Sequence, residues 1–157
     1  LESTEYSIYQ VLLRPDVTME QVLRYPRPGK PLAVAPASID LAAAELELVN
    51  RPRRPYALRD ALQLVRSRFD FTLIDCGPNL GLLTVNALVA ADEIIVPLLA
   101  EYLALRGMHV LFETVARVRQ GLNPALKIDG ILGTMYDKRT IHGREVLEEA
   151  REVYGTY

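Results

Sequence analysis

Short apolar runs alternate along the chain with longer stretches in which apolar residues recur every three or four positions. A short continuous apolar run between turn residues is typical of a strand in a parallel sheet, whereas the wider spacing is typical of a helix with one buried face. The predicted strands are Leu32–Ala35, Phe71–Ile74, Glu93–Leu99 and Leu126–Met135. Strands that alternate with helices predict right-handed βαβ units and a parallel sheet, with Phe71–Ile74 and Glu93–Leu99 buried on both faces.

The helical stretches begin and end at residues that commonly bound helices. Ser38 is predicted to cap one helix, Thr18 opens the capping pattern Thr-Met-Glu-Gln of another, and Gly121 closes the longest. The predicted helices are Tyr6–Leu13, a short helix after Thr18, Ser38–Val49, Tyr56–Arg68, Leu80–Ala91, Glu101–Gln120 and a last helix from Thr140. We find no internal repeat or linker to a second domain, so residues 1–157 are predicted to form a single domain.

Composition narrows the class of protein. Half of the 157 residues are hydrophobic and 24% are charged, as in ordinary globular domains, and the net charge of −2 requires any nucleic-acid contact to come from a local basic patch. The single cysteine excludes an internal disulfide and favours a reducing compartment. No apolar run approaches the roughly 18 residues of a membrane span. We therefore predict a cytoplasmic protein with no membrane segment.

The candidate chemistry lies directly after the strand predicted at Phe71–Ile74. Asp75 follows it and precedes a Gly77-Pro78 turn. Ligands of open parallel sheets bind beyond the carboxyl ends of the strands, and a carboxylate there can bind Mg²⁺ directly or through water. The glycine would let the backbone approach a phosphate, and the proline would stiffen the turn. Position alone leaves a second interpretation equally open, in which Asp75 caps the following helix.

The segment Leu73–Leu88, LIDCGPNLGLLTVNAL, resembles the Walker B and switch II region of the ParA/Soj-type partition ATPases, deviant-Walker relatives of the cell-division regulator MinD. The similarity extends upstream to Pro36–Asn50 and downstream to Pro97–Gly107 and Gly133–Thr140. Gly77 stands where the family usually has a proline. The resemblance implies an α/β fold of the deviant-Walker P-loop NTPase type, with a parallel sheet flanked by helices on both faces.

The resemblance also implies that the chain is the middle portion of such an ATPase domain, incomplete at both ends. In the family, the glycine-rich phosphate loop precedes the segment matching Tyr6–Leu13, and a strand and a helix follow the position of Tyr157. The pair Gly29-Lys30 is followed by Pro31 and is predicted to be a turn, not a phosphate loop. We therefore expect that this chain alone does not bind ATP normally.

In the family's fold, the phosphate-loop strand lies between the strands matching Phe71–Asp75 and Ile94–Val96. Without it, two apolar strand edges would have unpaired backbone groups, which is costly. Three arrangements are open: residues outside this chain fill the gap, another copy of the chain fills it, or the two edges pair directly.

For the intact protein, the resemblance implies an ATP hydrolase that uses ATP and Mg²⁺. Asp75 would help to hold the Mg²⁺ of the bound nucleotide, and Gly77 and Pro78 would form the switch II turn that senses the terminal phosphate. The region around Glu101 and Arg106 borders the nucleotide-dependent dimer interface in the family, so these two residues are the predicted interface residues.

A compact basic cluster, Lys138, Arg139 and Arg144, surrounds the start of the last predicted helix. By itself it is typical of a solvated helix start, but the resemblance implies that such residues can bind DNA without sequence preference. The resemblance further implies a homodimer that acts on nucleoid DNA in chromosome or plasmid segregation, with a ParB-type protein that stimulates hydrolysis.

Two other functions remain as alternatives. A flavodoxin-like module could accept phosphate on Asp75, but it would need an acidic pair after its first strand and a lysine at the end of its last core strand. Glu45 and Glu47 lie on a predicted helix, and Lys127 begins a strand. The chain could also be a non-catalytic interaction fragment, since it lacks a phosphate loop.

Overall fold

A computed structural model describes residues 6–99, 102–136, 139 and 141–155, without the side chains at positions 102, 103, 141 and 142. The chain divides after Ala90 into two compact units. In the described residues, the first unit consists of helices and turns, and the second combines a parallel two-stranded sheet with two helices. The single domain expected for residues 1–157 stays a prediction.

The described part of the first unit contains five α-helices, of which the first two begin with a capping box. They are α1 (Ile8–Leu13), α2 (Met19–Val22), α3 (Leu41–Leu48), α4 (Ala57–Gln63) and α5 (Leu82–Ala90), with 3₁₀ turns at Arg54–Tyr56 and Arg66–Arg68. The Ser7 N–H donates to Gln10 Oε1 at 2.7 Å before α1, and the Thr18 N–H donates to Gln21 Oε1 at 2.8 Å before α2. The second contact confirms the capping pattern predicted at Thr18.

The core of the first unit is formed by the apolar faces of its short helices. Its most deeply buried side chains are Met19, Val22, Ala44 and Leu48. Leu82, Leu83 and Ala90 of α5 pack against this core. Because none of these helices is long enough to be stable alone, the shared core holds them, and it also holds the start of α5 in place.

The strand predicted at Phe71–Ile74 is wrong for this chain. No residue from Phe71 to Asp75 belongs to a strand or bridge among the described residues, so direct pairing with Ile94–Val96 is not observed. Phe71 is 88% exposed and Leu73 is 93% exposed, whereas Ile74 packs against the core. A strand requires a hydrogen-bonded neighbour, and the described residues provide none for this segment.

Three further boundaries differ from the prediction. Leu32–Ala35 forms only a single antiparallel bridge between Arg24 and Val34. The helix predicted from Ser38 begins at Leu41, and the helix predicted to continue to Arg68 ends at Gln63. Beyond both helix ends the backbone hydrogen bonds span three residues, from the Leu41 N–H to the Ser38 carbonyl oxygen and from the Arg68 N–H to the Val65 carbonyl oxygen, so the chain forms tighter turns there and not α-helix. The turn predicted at Gly29 is confirmed, with φ of 72°.

The second unit contains β1 (Glu93–Leu99), α6 (Tyr102–Gly121), β2 (Lys127–Thr134) and α7 (Ile141–Tyr154). The two strands are parallel, with Val96 opposite Ile131 and Leu98 opposite Gly133. The α/β class with a parallel sheet and flanking helices is thereby confirmed, and α6 is the crossover that a parallel pair requires.

Only one face of β1 is buried within the second unit. Val96 and Leu98 pack with residues of α6 and α7, whereas Ile95, on the opposite face, is 59% exposed. The prediction that both faces of this strand are buried is therefore wrong for the described residues. Since successive side chains of a strand point to opposite faces, helices on one side leave the other uncovered. Among the described residues, no helix has the length and apolar content needed to cross a membrane.

Candidate nucleotide-responsive turn

Residues 75–81 form an irregular connection with bends at Pro78 and Gly81, here called the Asp75–Gly81 turn, between residues 71–74 and α5. Asp75, Gly77 and Pro78 are all exposed. A Cβ added at Gly77 would meet no atom within 4 Å, and this glycine does not have a positive φ. The described chain thus leaves open space beside Gly77, where a ligand could approach the backbone.

The Asp75 carboxylate is a suitable oxygen ligand for Mg²⁺. Protein-bound Mg²⁺ commonly has one or two carboxylate ligands and takes its remaining oxygens from substrate phosphates and water. Among the described residues, no three histidine, cysteine or acidic side chains are grouped as a metal site. Asp75 is therefore better suited to a Mg²⁺ ion that arrives with a nucleotide than to an ion held by protein side chains alone.

The start of α5 is held by a residue that the sequence analysis did not assign to the site. The Leu83 N–H donates to Glu45 Oε1 at 3.1 Å, so a carboxylate of α3 binds one of the first N–H groups of α5. The Thr84 hydroxyl donates to the carbonyl oxygen of Asn79 at 2.5 Å. Both contacts fix the downstream end of the Asp75–Gly81 turn, next to the core of the first unit.

Asn86 connects α5 to the two elements beside it. Its side chain is 1% exposed, and its Oδ1 accepts from the Leu58 N–H at 3.2 Å. Its Nδ2 donates to the carbonyl oxygens of Arg54 and Leu82, both at 2.9 Å. This buried amide is therefore hydrogen-bonded at both ends, as burial in an apolar environment requires.

Cys76 is more weakly acidic than an ordinary cysteine. Although the residue is exposed, desolvation of its sulfur raises the pKa of the thiol, and the negative charge of Asp75 raises it further. A reactive nucleophilic cysteine requires the opposite shift. The sequence predicts a buried small apolar side chain at Cys76 and not a nucleophile; the burial is wrong, since the residue is exposed, whereas the raised pKa agrees with the absence of a nucleophilic role.

The remaining predicted site residues belong to the second unit or lie outside the described residues. Arg106 is exposed on α6 and lines a groove of about 470 Å³ together with residues of α7. Arg139 and Arg144 are exposed at the start of α7. Lys138 and Glu101 lie outside the described residues. The predicted DNA-binding and interface roles of all of these residues stay predictions.

Different signals could have found the residues that were missed. Thr84 and Asn86 are polar positions in the otherwise apolar stretch Leu82–Ala90, and a buried polar residue must find a hydrogen-bond partner. Glu45 gives no such signal, because it lies in a helix where acidic residues are common and its partner is distant in the sequence.

The second unit is a parallel α/β unit, and the first has an exposed segment with an acid, a glycine and a proline ahead of a helix; both features agree with an α/β domain of the P-loop NTPase class. Residues 1–128 match the family described as AAA domain. The chain belongs to this family and, within it, to the ParA/Soj type.

The similar proteins include "Chromosome partitioning protein ParA" of Myxococcus xanthus, which is 48% identical over 145 residues, covering 92% of this chain and 50% of the relative. "Chromosome-partitioning ATPase Soj" of Treponema pallidum is 48% identical over 124 residues, covering 79% of this chain and 49% of the relative. The chain thus spans about half the length of these curated relatives.

A solved structure of a Mycobacterium smegmatis protein is also similar. It is named cobyrinic acid a,c-diamide synthase and contains an ATP analogue and magnesium. The two structures superpose with a TM-score of 0.89 at 43% sequence identity, over 97% of this chain and 61% of the other.

Proposed function

We propose that the intact protein is an ATP hydrolase of the ParA/Soj type that acts in chromosome or plasmid segregation. The observation that carries this proposal is the 48% identity to a chromosome partitioning protein over 92% of the chain, which includes the Asp75–Gly81 turn. The exposure of Asp75 supports it, because a carboxylate that is to meet a metal-bound nucleotide must be accessible.

In this proposal, each residue of the turn has a limited role. Asp75 orients the Mg²⁺ that accompanies the nucleotide, whose charge the ion neutralises. Gly77 lets the backbone approach the terminal phosphate in the open space beside it, and Pro78 limits the conformations of the turn. The chain spans about half the length of its curated relatives, and we assign the phosphate loop and the other nucleotide-binding groups to the part that it does not span.

A synthase that transfers amide nitrogen, the reaction suggested by the name of the Mycobacterium smegmatis protein, is less well supported. The curated relatives from Myxococcus xanthus, Caulobacter vibrioides and Treponema pallidum carry partition names at 42–48% identity. A cysteine that acts as the nucleophile in such a transfer needs a lowered pKa, whereas the pKa of Cys76 is raised.

The first test compares ATP turnover by the full-length protein and by the 157-residue chain. We expect Mg²⁺-dependent hydrolysis by the full-length protein and no measurable ATP binding by the chain alone, since the phosphate loop supplies most of the phosphate contacts. Phosphate release and fluorescent-nucleotide titration measure the two quantities. Tight ATP binding by the chain alone would contradict the assignment of essential contacts to the missing segments.

We also propose that the ATP-bound protein is a homodimer on DNA, with Glu101 and Arg106 near the dimer interface and a ParB-type protein as the activator. The basic cluster of Lys138, Arg139 and Arg144 is the proposed DNA contact. The exposure of Arg139 and Arg144 at the start of α7 supports this role. Nucleoid association in the cytoplasm would follow from such binding.

The second test replaces two of these basic residues in the full-length protein. For Lys138→Ala/Arg139→Ala, we expect weaker binding to every DNA sequence and a fall of about 2 in the slope of log affinity against log salt concentration. Fluorescence anisotropy over a salt series measures both quantities. Arg151→Ala is the matched control, because Arg151 is exposed near the other end of α7. Unchanged binding by the double variant removes the cluster from the proposal.

A further inference from the structure

Glu45 contacts the start of α5 directly, although the two are far apart in the sequence. Glu45 belongs to α3, and its Oε1 accepts from the Leu83 N–H at 3.1 Å. Gly81 faces the same carboxylate: a Cβ added at Gly81 would lie 2.8 Å from both Cδ and Oε2 of Glu45 and would overlap Oε1. The carboxylate therefore occupies the space that any side chain at position 81 would need.

A carboxylate at this point stabilises α5 in two ways. The first N–H groups of a helix have no partner within the helix, and the aligned peptide dipoles give that end a partial positive charge. Glu45 provides both an acceptor and a negative charge. It therefore fixes the position of the first turn of α5 relative to α3.

The two ends of the Asp75–Gly81 turn differ in how they are held. At the downstream end, Glu45 contacts Leu83 and Gly81, and Thr84 bonds Asn79. At the upstream end, Ile74 packs against the core of the first unit, whereas Phe71 and Leu73 are exposed and residues 71–75 have no strand partner among the described residues. The turn is thus held by apolar packing of Ile74 at its upstream end and by the hydrogen bonds of Glu45 and Thr84 at its downstream end.

We propose that Glu45 is a positioning residue for the Asp75–Gly81 turn. By holding the start of α5, it sets where the turn presents Asp75, Gly77 and Pro78 to the nucleotide, and Gly81 leaves the Glu45 carboxylate the space from which a side chain at position 81 would displace it. This inference rests on the proposed ATPase function. It assigns a role in the reaction to a residue that would touch neither nucleotide nor metal.

The experiment uses the full-length protein with four variants: Glu45→Ala, Glu45→Gln, Gly81→Ala and the double variant Glu45→Ala/Gly81→Ala. For Glu45→Ala, we expect kcat to fall about tenfold or more with little change in KM, because small displacements of reacting groups are costly. Glu45→Gln keeps an acceptor oxygen and should recover most of the rate. Glu47→Ala is the control, since Glu47 lies on the same helix and accepts instead from the Tyr9 hydroxyl.

The Gly81 variants test whether the two residues act through one contact. Gly81→Ala should lower kcat in the wild-type background, and it should add little in the Glu45→Ala background, where the carboxylate that it would displace is absent. Additive losses in the double variant would overturn the proposed role of Gly81.

A readout independent of hydrolysis separates this inference from the proposed function. Cys76 lies within the turn, and its alkylation by iodoacetamide can be followed by mass spectrometry of its peptide. If Glu45 holds the turn, Glu45→Ala should change the Cys76 alkylation rate severalfold, whereas Glu47→Ala should not. A wild-type protein without ATPase activity but with this response contradicts the proposed function and retains the positioning role. A Glu45→Ala protein with unchanged kcat and unchanged Cys76 alkylation overturns the inference.

Discussion

Full-length protein carrying Asp75→Asn is expected to lose ATP turnover by about 100-fold or more, because a carboxylate that helps to hold the metal-bound nucleotide is replaced by a neutral amide. Asparagine has nearly the same size as aspartate, so the substitution removes charge without creating a cavity. Steady-state phosphate release at saturating Mg²⁺ and ATP measures the loss.

The same substitution should leave the stability of the protein nearly unchanged. Asp75 is exposed and has no hydrogen bond to another described residue, so we expect the free energy of unfolding to change by less than about 0.5 kcal/mol. Asp70→Asn is the matched control, since Asp70 is also exposed and lies shortly before the turn. Normal turnover by Asp75→Asn, or an equal loss in Asp70→Asn, would contradict the assignment of the metal-associated role to Asp75.

Replacement of Asn86 by alanine, unlike that of Asp75, should cause a large loss of stability. The substitution removes the acceptor of the buried Leu58 N–H and the donor to the Arg54 and Leu82 carbonyl oxygens. An unsatisfied buried N–H costs about 1–3 kcal/mol, and the cavity adds to this, so we expect a loss of about 2–4 kcal/mol.

Urea unfolding of the full-length protein measures this loss as a lower midpoint. Asn50→Ala serves as the control, because Asn50 is exposed just beyond α3. A shift for Asn86→Ala no larger than that of the control would show that the buried amide does not hold α4 and α5 together.

The elements that could be predicted from sequence are those whose determinants are local. The helix start after Thr18 depends on groups three residues apart, and β1 and α6 have long, regular patterns. The segment Phe71–Ile74 has an equally clear apolar pattern, yet it forms no strand. An apolar pattern shows which side chains can be buried, but a strand also needs backbone partners from elsewhere in the molecule.

The candidate site likewise combines local features with long-range ones. The acid, glycine and proline of the turn lie within four consecutive residues, so their proximity was predictable, and the resemblance of this segment to a known switch segment identified the family. The contact between Glu45 and Leu83 joins helices that are far apart in the chain, and no local pattern distinguishes Glu45 from Glu47 on the same helix.

By itself, the sequence determined the family, the order of the helices, the two strands of the second unit, and the position of Asp75 ahead of α5. Only the tertiary structure decided that Phe71 and Leu73 are exposed, that one face of β1 is covered, and that Glu45 holds the start of α5. The physical reason is the range of the interactions: helix starts and apolar periodicity depend on near neighbours, whereas strand pairing, face burial and long-range capping depend on which distant segments are present to provide partners.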